Sequence, residues 1–392
     1  VLLKKKKLKD LEHPKQLKNV IKTMEELVLA NSGFDSFDEI FKLIYAKLYD
    51  EAEAKSNPSV YELEFRKHPS KDANKTKENI ARLFSEAKKR WRGVFEKSDE
   101  IKLKSEHLSV CVGELEKYCL LGANLQVIDE AFEYLIPAVA KSKKGQYFTP
   151  RILIDMCVKI LKPTKKEYLI DTACGSGGFL IHTMEFVQKQ NNFTQAQMSN
   201  YAKNYLFGMD FDEKSSKIAR AMMLIAGDGK SHIYKANSLD GSDEEWRNIS
   251  KEFEDFELIK EMDDYDENER NLKENLYFNF DILMANPPFA GEVKEKKILG
   301  KYDFGKKNGK NLAKISRHLL FIERNLNFVK SGGRIAIVLP QGVFNNTSEK
   351  YIREYIAHKA RILAVVGIEG NAFKPHTGTK TSILFLQKWH DE

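Results

Sequence analysis

The sequence is poor in the features that mark disulfide-rich, zinc-binding or membrane proteins. Its 392 residues contain four cysteines, which form no CxxC pair and lack the spacing of zinc ligands. We therefore expect reduced thiols, a cytoplasmic protein and no metal. No apolar run reaches the length of a transmembrane helix, and the apolar part of Val1–Lys7 is too short for a signal peptide. We expect no association with a membrane.

The charge balance is also unremarkable. The formal net charge is +7, a mild basic bias that is compatible with nucleic-acid binding but does not require it. A hydrophobic content of 42% over 392 residues is sufficient for two domains with sizeable cores. The sequence starts without Met and ends directly after a strand-like run, so we expect it to be part of a longer protein.

A glycine-rich stretch, Asp171-Thr-Ala-Cys-Gly-Ser-Gly-Gly-Phe179, carries the first functional signal. It follows the apolar run Tyr168–Ile170 and precedes a helical pattern over Leu180–Gln188. Strand, glycine-rich turn and helix in this order are typical of nucleotide-binding α/β folds. The glycines would let the backbone approach a ligand at a helix N-terminus, namely Gly175, Gly177 and Gly178. The spacing differs from the dinucleotide fingerprint, so a ligand-free turn is the alternative.

A second motif follows another predicted buried strand. Asp281–Ala285 is apolar enough for a parallel strand, and Asn286-Pro-Pro-Phe289 ends it. In open α/β sheets the ligand crevice lies at the carboxyl ends of strands, so both motifs are expected in one crevice. A third segment, Gly145-Gln-Tyr-Phe-Thr-Pro150, lies upstream. Thr149 is predicted as an N-cap and Pro150 as the first helical residue. The helix that follows would bury one face, comprising Ile152, Met156, Cys157, Ile160 and Leu161.

These three segments, in this order, resemble the S-adenosylmethionine-dependent N6-adenine DNA methyltransferases. Among these, they are most similar to the modification subunit of type I restriction–modification systems. The resemblance covers roughly residues 145–388 well. It implies an α/β fold with a doubly wound, mostly parallel, seven-stranded Rossmann-like sheet, preceded by an all-α N-terminal domain. The implied domains are a helical domain over 1–144 and a catalytic domain over 145–392.

The remaining periodicity agrees with this architecture. Residues 1–144 have helical spacing, with Lys67–Asn79 as an exposed linker. Alternating helices and strands downstream indicate a doubly wound sheet with an antiparallel end. The further strands are expected at Tyr205–Asp210, His232–Leu239, Gly332–Pro340, Ile362–Val366 and Thr381–Leu386, and the further helices at Glu213–Ala226, Leu319–Val329 and Tyr351–Ala360.

Acidic and amide side chains follow the second and third predicted strands. Asp210 is placed to accept from ribose hydroxyls, since Asp212 is the better cap for the next helix. Phe211 could pack on an adenine ring. Asn237 could accept from an adenine amine and donate to a ring nitrogen, although many relatives carry an acid there. By the resemblance, the S-adenosylmethionine site comprises Gln146, Tyr147, Phe148, Thr149, Asp171, Ala173, Gly175, Gly177, Gly178, Asp210, Phe211, Asn237 and Ser238.

The expected catalytic residues are Asn286, Pro287, Pro288 and Phe289. An exocyclic adenine amine is a poor nucleophile, because its lone pair is delocalised into the ring. The Asn286 side-chain oxygen and the Pro287 carbonyl could accept its two hydrogens and direct the lone pair at a methyl group. Phe289 could stack on the base. Neither a metal nor a covalent enzyme intermediate is needed, but the base must be flipped out of the duplex.

Double-stranded DNA is the expected partner, and the resemblance adds a specificity subunit and a restriction subunit. A lysine-rich loop after Asn-Pro-Pro-Phe could contact phosphates, through Lys294, Lys296, Lys297, Lys301, Lys306, Lys307 and Lys310. The acidic insertion Asp243–Asn275 is expected to be a solvated helical excursion. The sequence leaves open the DNA target, the location of the specificity element, the presence of a fused nuclease and the oligomeric state.

Three alternatives stay open at this point. The chain could be a fragment of a single-chain restriction–modification enzyme. It could be an amino methyltransferase that acts on an RNA base or a protein glutamine, although such enzymes generally lack the upstream segment and the large helical domain. It could also be an inactive DNA-docking scaffold, although all the expected catalytic residues are present.

Overall fold

A computed structural model describes residues 6–28, 33–92, 94–135, 149–227, 232–242, 244–260, 277–373 and 378–390. Backbone contacts divide the chain into two units. The first comprises Val1–Pro137 and Arg220–Lys230, and the second comprises Ala138–Ala219 and Ser231–Glu392. The domain boundary expected at residues 144–145 falls outside the described residues.

Helices make up the first unit. The pattern around Ile40–Leu48 forms the buried centre of α2, and the predicted linker over Lys67–Asn79 is only partly correct. Asp72 accepts from the backbone of Asn74 and Lys75 and so starts α3 at Ala73. The helices are α1 Leu17–Leu27, α2 Ser36–Ser56, α3 Ala73–Arg90, α4 Ser105–Leu115 and α5 Leu125–Leu135, with a 3-10 turn at Leu8–Asp10.

Three buried carboxylates on α2 join this unit together. Each accepts backbone N–H groups from a different connecting segment, which satisfies donors that the helices leave unbonded. Burial raises the pKa of Asp50 to about 6, against the opposing effect of its hydrogen bonds. Glu39 accepts from Lys102 and Leu103, Asp50 from Glu64 and Phe65, and Glu51 from Leu120 and Leu121.

The second unit is built on a seven-stranded sheet, as expected. The strands run in the order β10-β11-β9-β4-β1-β2-β3, and β11 is antiparallel to both of its neighbours. The antiparallel pairs thus lie at one end of the sheet, as expected, where β11 runs between β9 and β10. The strands are β1 Leu169–Asp171, β2 Leu206–Asp210, β3 His232–Lys235, β4 Phe280–Ala285, β9 Val329–Pro340, β10 Ala360–Gly367 and β11 Thr381–Lys388.

Four two-residue strands lie between β4 and β9. They pair as two short antiparallel ribbons apart from the main sheet. They are β5 Glu292–Val293, which pairs with β8 Ile315–Ser316, and β6 Lys306–Lys307, which pairs with β7 Lys310–Asn311.

Helices follow most of the main strands. Helix α8 was not predicted from the sequence. Its capping box, Thr194 with Gln197, is a sequence signal for a helix N-terminus at this position. The helices are α6 Arg151–Leu161, α7 Gly178–Asn191, α8 Gln195–Tyr205, α9 Glu213–Ala226, α10 Glu244–Asp255, α11 Lys296–Leu299, α12 Arg317–Phe328, α13 Gly342–Asn345 and α14 Lys350–Lys359.

The acidic insertion forms a helix, as predicted, but the helix is not a solvated excursion. On α10, Trp246, Ile249 and Phe253 are buried in the core beside the sheet. The indole of Trp246 also donates to the carbonyl of Asn237 at 3.0 Å. The apolar stripe of α10 therefore outweighs its acidic composition. Residues 261–276 of the insertion lie outside the described part.

Candidate functional site

The two motifs meet at one edge of the sheet. β1 and β4 are adjacent and parallel, with Leu169 opposite Ile282 and Ile170 opposite Leu283. Asp171 is the last residue of β1, and Asn286 directly follows β4. Because parallel neighbours end at the same edge, the glycine-rich turn and Asn-Pro-Pro-Phe lie side by side.

The glycine-rich turn needs its glycines for two different reasons. Gly175 and Gly177 have φ values of +52° and +84°, which L side chains rarely adopt. A Cβ on Gly178 would instead lie 2.7 Å from the Ile154 side chain of α6. A Cβ on Gly175 would meet nothing within 4 Å, so the turn faces open space there. This open face at the N-terminus of α7 is suited to a ligand.

Two buried carboxylates flank this turn. Asp171 accepts from the backbone of Ala173 at 3.1 Å. Asp210 accepts from Gly175 N at 2.9 Å and from Asp212 N at 2.8 Å, and so it joins the end of β2 to the glycine-rich turn. Burial raises the pKa of Asp171 well above its ordinary value, and the negative charge of Asp210 raises it further. A ligand with positive charge or hydroxyl donors would stabilise the charged form of Asp171 and so lower its pKa.

The other predicted cofactor residues have different surroundings. Phe211 is 72% exposed beside Asp210, so its ring is available to a ligand. Asn237 accepts from Leu239 N at 3.1 Å through Oδ1. The Ser238 hydroxyl is buried and donates to the carbonyl of Thr172 at 2.6 Å, which ties the turn after β3 to the turn after β1. Asp212 caps α9 through Ser215 N, as predicted.

The upstream segment contacts the catalytic turn directly. Asn286 Nδ2 donates to Thr149 Oγ1 at 3.0 Å, so Oδ1 is the acceptor end of this amide. Thr149 is not the helix cap that the sequence predicted, because Pro150 takes the N-cap position of α6. Phe289 packs edge-on against Phe373, with ring centroids 6.1 Å apart. Gln146, Tyr147 and Phe148 lie outside the described residues.

The predicted apolar face of α6 is partly wrong. Cys157 and Leu161 are buried, together with Ile154 and Val158. Ile152 is 77% exposed and Ile160 is 44% exposed. The helix begins at Arg151, and it packs on α7 through Ile154, which also closes over Gly178.

Comparison with known proteins decides the family. The N-6 DNA Methylase family model matches residues 124–392, which include both motifs and the whole sheet. The chain belongs to this family.

The resemblance to type I modification subunits is also confirmed. The chain is 24% identical over 246 residues to the methylase subunit of the type I restriction enzyme EcoEI from Escherichia coli. That alignment covers 62% of this chain and 42% of the EcoEI subunit, so the chain spans less than half of that relative.

Solved structures share the fold of this chain. A type I restriction–modification methyltransferase subunit from Streptococcus thermophilus superposes with a TM-score of 0.62 at 18% identity, covering 95% of this chain and 83% of that one. A modification subunit of a putative type I restriction enzyme from Vibrio vulnificus gives 0.60 at 17% identity, covering 95% and 81%. Sequence identity at this level supports the fold.

Sequence reasoning missed the role of α12 in this chain. Four polar side chains of this helix are buried, three of them successive, where a regular amphipathic helix would expose several of them. They bond to four different loops, three of which follow β1, β3 and β4. His318 bonds to the backbone of Phe289, Glu323 accepts from Asp303 N and Phe304 N, Arg324 donates to the carbonyl of Ser238, and Asn325 accepts from the Thr172 hydroxyl. The run Glu-Arg-Asn, which directly follows the apolar stretch Leu319–Ile322, was the available signal.

The lysine-rich segment after the catalytic turn divides into two parts. Lys307 and Lys310 are exposed on the β6–β7 ribbon, whose turn residues Asn308 and Gly309 both have positive φ. Lys301, however, is buried and bonds to Asp240. The prediction that it could contact phosphate is therefore wrong. Burial lowers the pKa of Lys301, although Asp240 opposes this.

Neither a membrane span nor a metal cluster is found in the part of the chain that the structure describes. No described helix combines the length and apolarity needed to cross a bilayer. Among the same residues, no group of three or more His, Cys, Asp or Glu side chains could hold a metal ion.

Proposed function

We propose that this chain is the catalytic part of a type I modification subunit, an S-adenosylmethionine-dependent methyltransferase specific for the N6 amine of adenine in DNA. The observation that carries the proposal is the placement of the glycine-rich turn and Asn-Pro-Pro-Phe at the carboxyl ends of two paired strands. A cofactor on one turn and a target base on the other would then lie next to each other.

The residues around the glycine-rich turn fit S-adenosylmethionine. The buried Asp171 and Asp210 provide acceptors for an ammonium group and for ribose hydroxyls, and Gly175 leaves open space for the backbone to approach the ligand. Phe211 offers an exposed ring beside Asp210 for the adenine. When bound, this cofactor supplies a methyl group activated by its sulfonium.

The catalytic turn supplies acceptors for the target amine. Thr149 holds Asn286 Nδ2 and so orients Oδ1 as an acceptor. The carbonyl of Pro287 is a second acceptor, and proline contributes no competing backbone donor. Two acceptors that bind both amine hydrogens direct the nitrogen lone pair away from them, toward the cofactor turn. Positioning and preorganised polar contacts of this kind provide most of the rate.

Duplex DNA must release the target base to reach this turn. Flipping costs a few kcal/mol, and stacking on Phe289 would recover part of it. The exposed Lys307 and Lys310 are placed beyond the same turn, where they could contact the backbone around the extruded nucleotide. We infer that specificity comes from a partner subunit, with a restriction subunit completing the system, because the relatives are named as subunits of type I restriction enzymes.

The decisive experiment replaces Asn286 with alanine. Methyl transfer to DNA, assayed with the specificity partner, should fall at least about a hundredfold, the scale for loss of one preorganised polar contact to the reacting group. Cofactor affinity should be unchanged. Asn279→Ala is the matched control, because Asn279 directly precedes the same strand, at the end opposite Asn286, and its side chain donates to the carbonyl of Ile259. Near wild-type transfer by Asn286→Ala, or methylcytosine as product, would contradict the proposal.

A second experiment tests the cofactor site. Asp210→Ala should weaken S-adenosylmethionine binding by about 1–3 kcal/mol, since it removes the proposed ribose acceptor and the bond that holds Gly175. Asp212→Ala, two residues away, removes a helix cap and should leave the affinity unchanged. Calorimetry on both variants distinguishes the roles. Equal affinities for Asp210→Ala and the wild type would refute the assignment.

A further inference from the structure

The loop after β3, residues 237–240, is held by an unusual set of contacts. Three successive carbonyls in it each accept from a side chain of a distant segment, and we call these three donors the carbonyl clamp. Arg324 Nε donates to the carbonyl of Ser238 at 2.6 Å, Tyr302 Oη to that of Leu239 at 2.8 Å, and Lys301 Nζ to that of Asp240.

The clamp is built from groups that are costly to bury. Arg324 and Tyr302 are fully buried, and Lys301 is 7% exposed. The Arg324 guanidinium lies 4.3 Å from the ring centroid of Phe328 and 5.1 Å from that of Trp246, so aromatic faces offset part of its desolvation. Burial still lowers the pKa of Arg324 to about 10. A loop that needed only to be covered could be held by apolar contacts, so these directional bonds indicate that its conformation matters.

The clamp also fixes one side chain in the loop that follows β3, next to Ser238, which bonds to the turn after β1. Leu239 accepts from Tyr302 through its carbonyl, and its N–H donates to Asn237 Oδ1 at 3.1 Å. The oxygen of the Asn237 amide is therefore held by the loop itself, and Nδ2 is its donor end. An amide presented in this way can donate to N1 of an adenine ring. The same amide could not bond to N1 of hypoxanthine, because that N1 carries a hydrogen and two donors would face each other.

We propose that Lys301, Tyr302 and Arg324 are positioning residues that fix the loop 237–240 so that Asn237 reads the adenine ring of the cofactor. The inference rests on the proposed function. It adds that discrimination between bases in the cofactor site depends on side chains from two later segments. Lys301 and Tyr302 lie in the segment after Asn-Pro-Pro-Phe, and Arg324 lies on α12.

Tyr302→Phe tests this most cleanly, because it removes one hydroxyl and keeps the buried ring. Calorimetry would compare S-adenosylhomocysteine with its inosine analogue, S-inosylhomocysteine. The wild type should prefer the adenine compound. The variant should bind it about two- to tenfold more weakly, the equivalent of one lost hydrogen bond, and should bind the inosine compound with little change. The preference should therefore shrink. Lys301→Met should act in the same direction.

Tyr61→Phe is the matched control. Its hydroxyl donates to Asp50 in the helical unit at 3.0 Å, so the same chemical change should affect stability without changing either affinity. If Tyr302→Phe weakens both ligands by the same factor, or weakens neither, the positioning role is wrong while the proposed function stands. If the wild-type chain binds no S-adenosylhomocysteine, the proposed function falls and this inference with it.

Discussion

The contact between Thr149 and Asn286 gives a sharp prediction about how the upstream segment serves catalysis. Thr149 Oγ1 accepts from Asn286 Nδ2 at 3.0 Å. Thr149→Val keeps the branched shape of the side chain and removes this acceptor. If the bond orients the catalytic amide, the variant should present Asn286 less precisely to the target amine.

The expected loss follows from the single bond involved. One hydrogen bond of this kind contributes about 1 kcal/mol, with a spread of about 0.5 kcal/mol either way, so methyl transfer should slow by about two- to tenfold. Thr149→Ser retains a hydroxyl and should remain near the wild-type rate. Single-turnover transfer at saturating S-adenosylmethionine, with the specificity partner present, measures the chemical step without the contribution of cofactor affinity.

A double-mutant cycle with Asn286→Ala decides whether Thr149 acts through Asn286. Once the amide is gone, Thr149→Val should cause no further loss, because its partner is absent. If the two effects instead multiply, Thr149 acts independently of Asn286, for example directly on the cofactor, and the orientation argument is refuted.

Three further outcomes are expected. The raised pKa of Asp50, about 6, means that the folded chain holds this proton at a higher pH than the unfolded chain, so its contribution to the free energy of unfolding falls by roughly 2–3 kcal/mol between pH 4 and pH 7. In urea titrations, the free energy of unfolding of the wild type relative to that of Asp50→Asn should fall as the pH rises across this range. A difference between the two proteins that does not change with pH would contradict the prediction. Burial raises the pKa of three thiols to about 12, so a disulfide reagent at pH 8 should modify them only after unfolding; they are Cys111, Cys119 and Cys157. The chain alone should bind duplex DNA weakly, without sequence preference and with a steep salt dependence; salt-independent, sequence-specific binding would contradict an outside specificity element.

Local sequence determined much of the fold. The strands at β1, β2 and β4 are short apolar runs bounded by polar turns, and burial on both faces is what such runs indicate. The Gly-rich turn and Asn-Pro-Pro-Phe could be assigned to strand ends because glycine and proline constrain the backbone at their own positions. Because parallel neighbours end at the same edge of a sheet, parallel pairing placed both motifs at one edge. The motifs themselves carried the family resemblance.

Tertiary structure alone decided which polar and charged groups are buried. Lys301 lies in a lysine-rich segment, yet it points inward to Asp240, and acidic α10 buries Trp246 against the sheet. The polar residues of α12 reach loops that are far away in sequence. The placement of β11 between β9 and β10 likewise depends on pairing across long separations. Composition and periodicity report the neighbours of a residue along the chain, whereas these features depend on neighbours in space, which only the assembled sheet brings together.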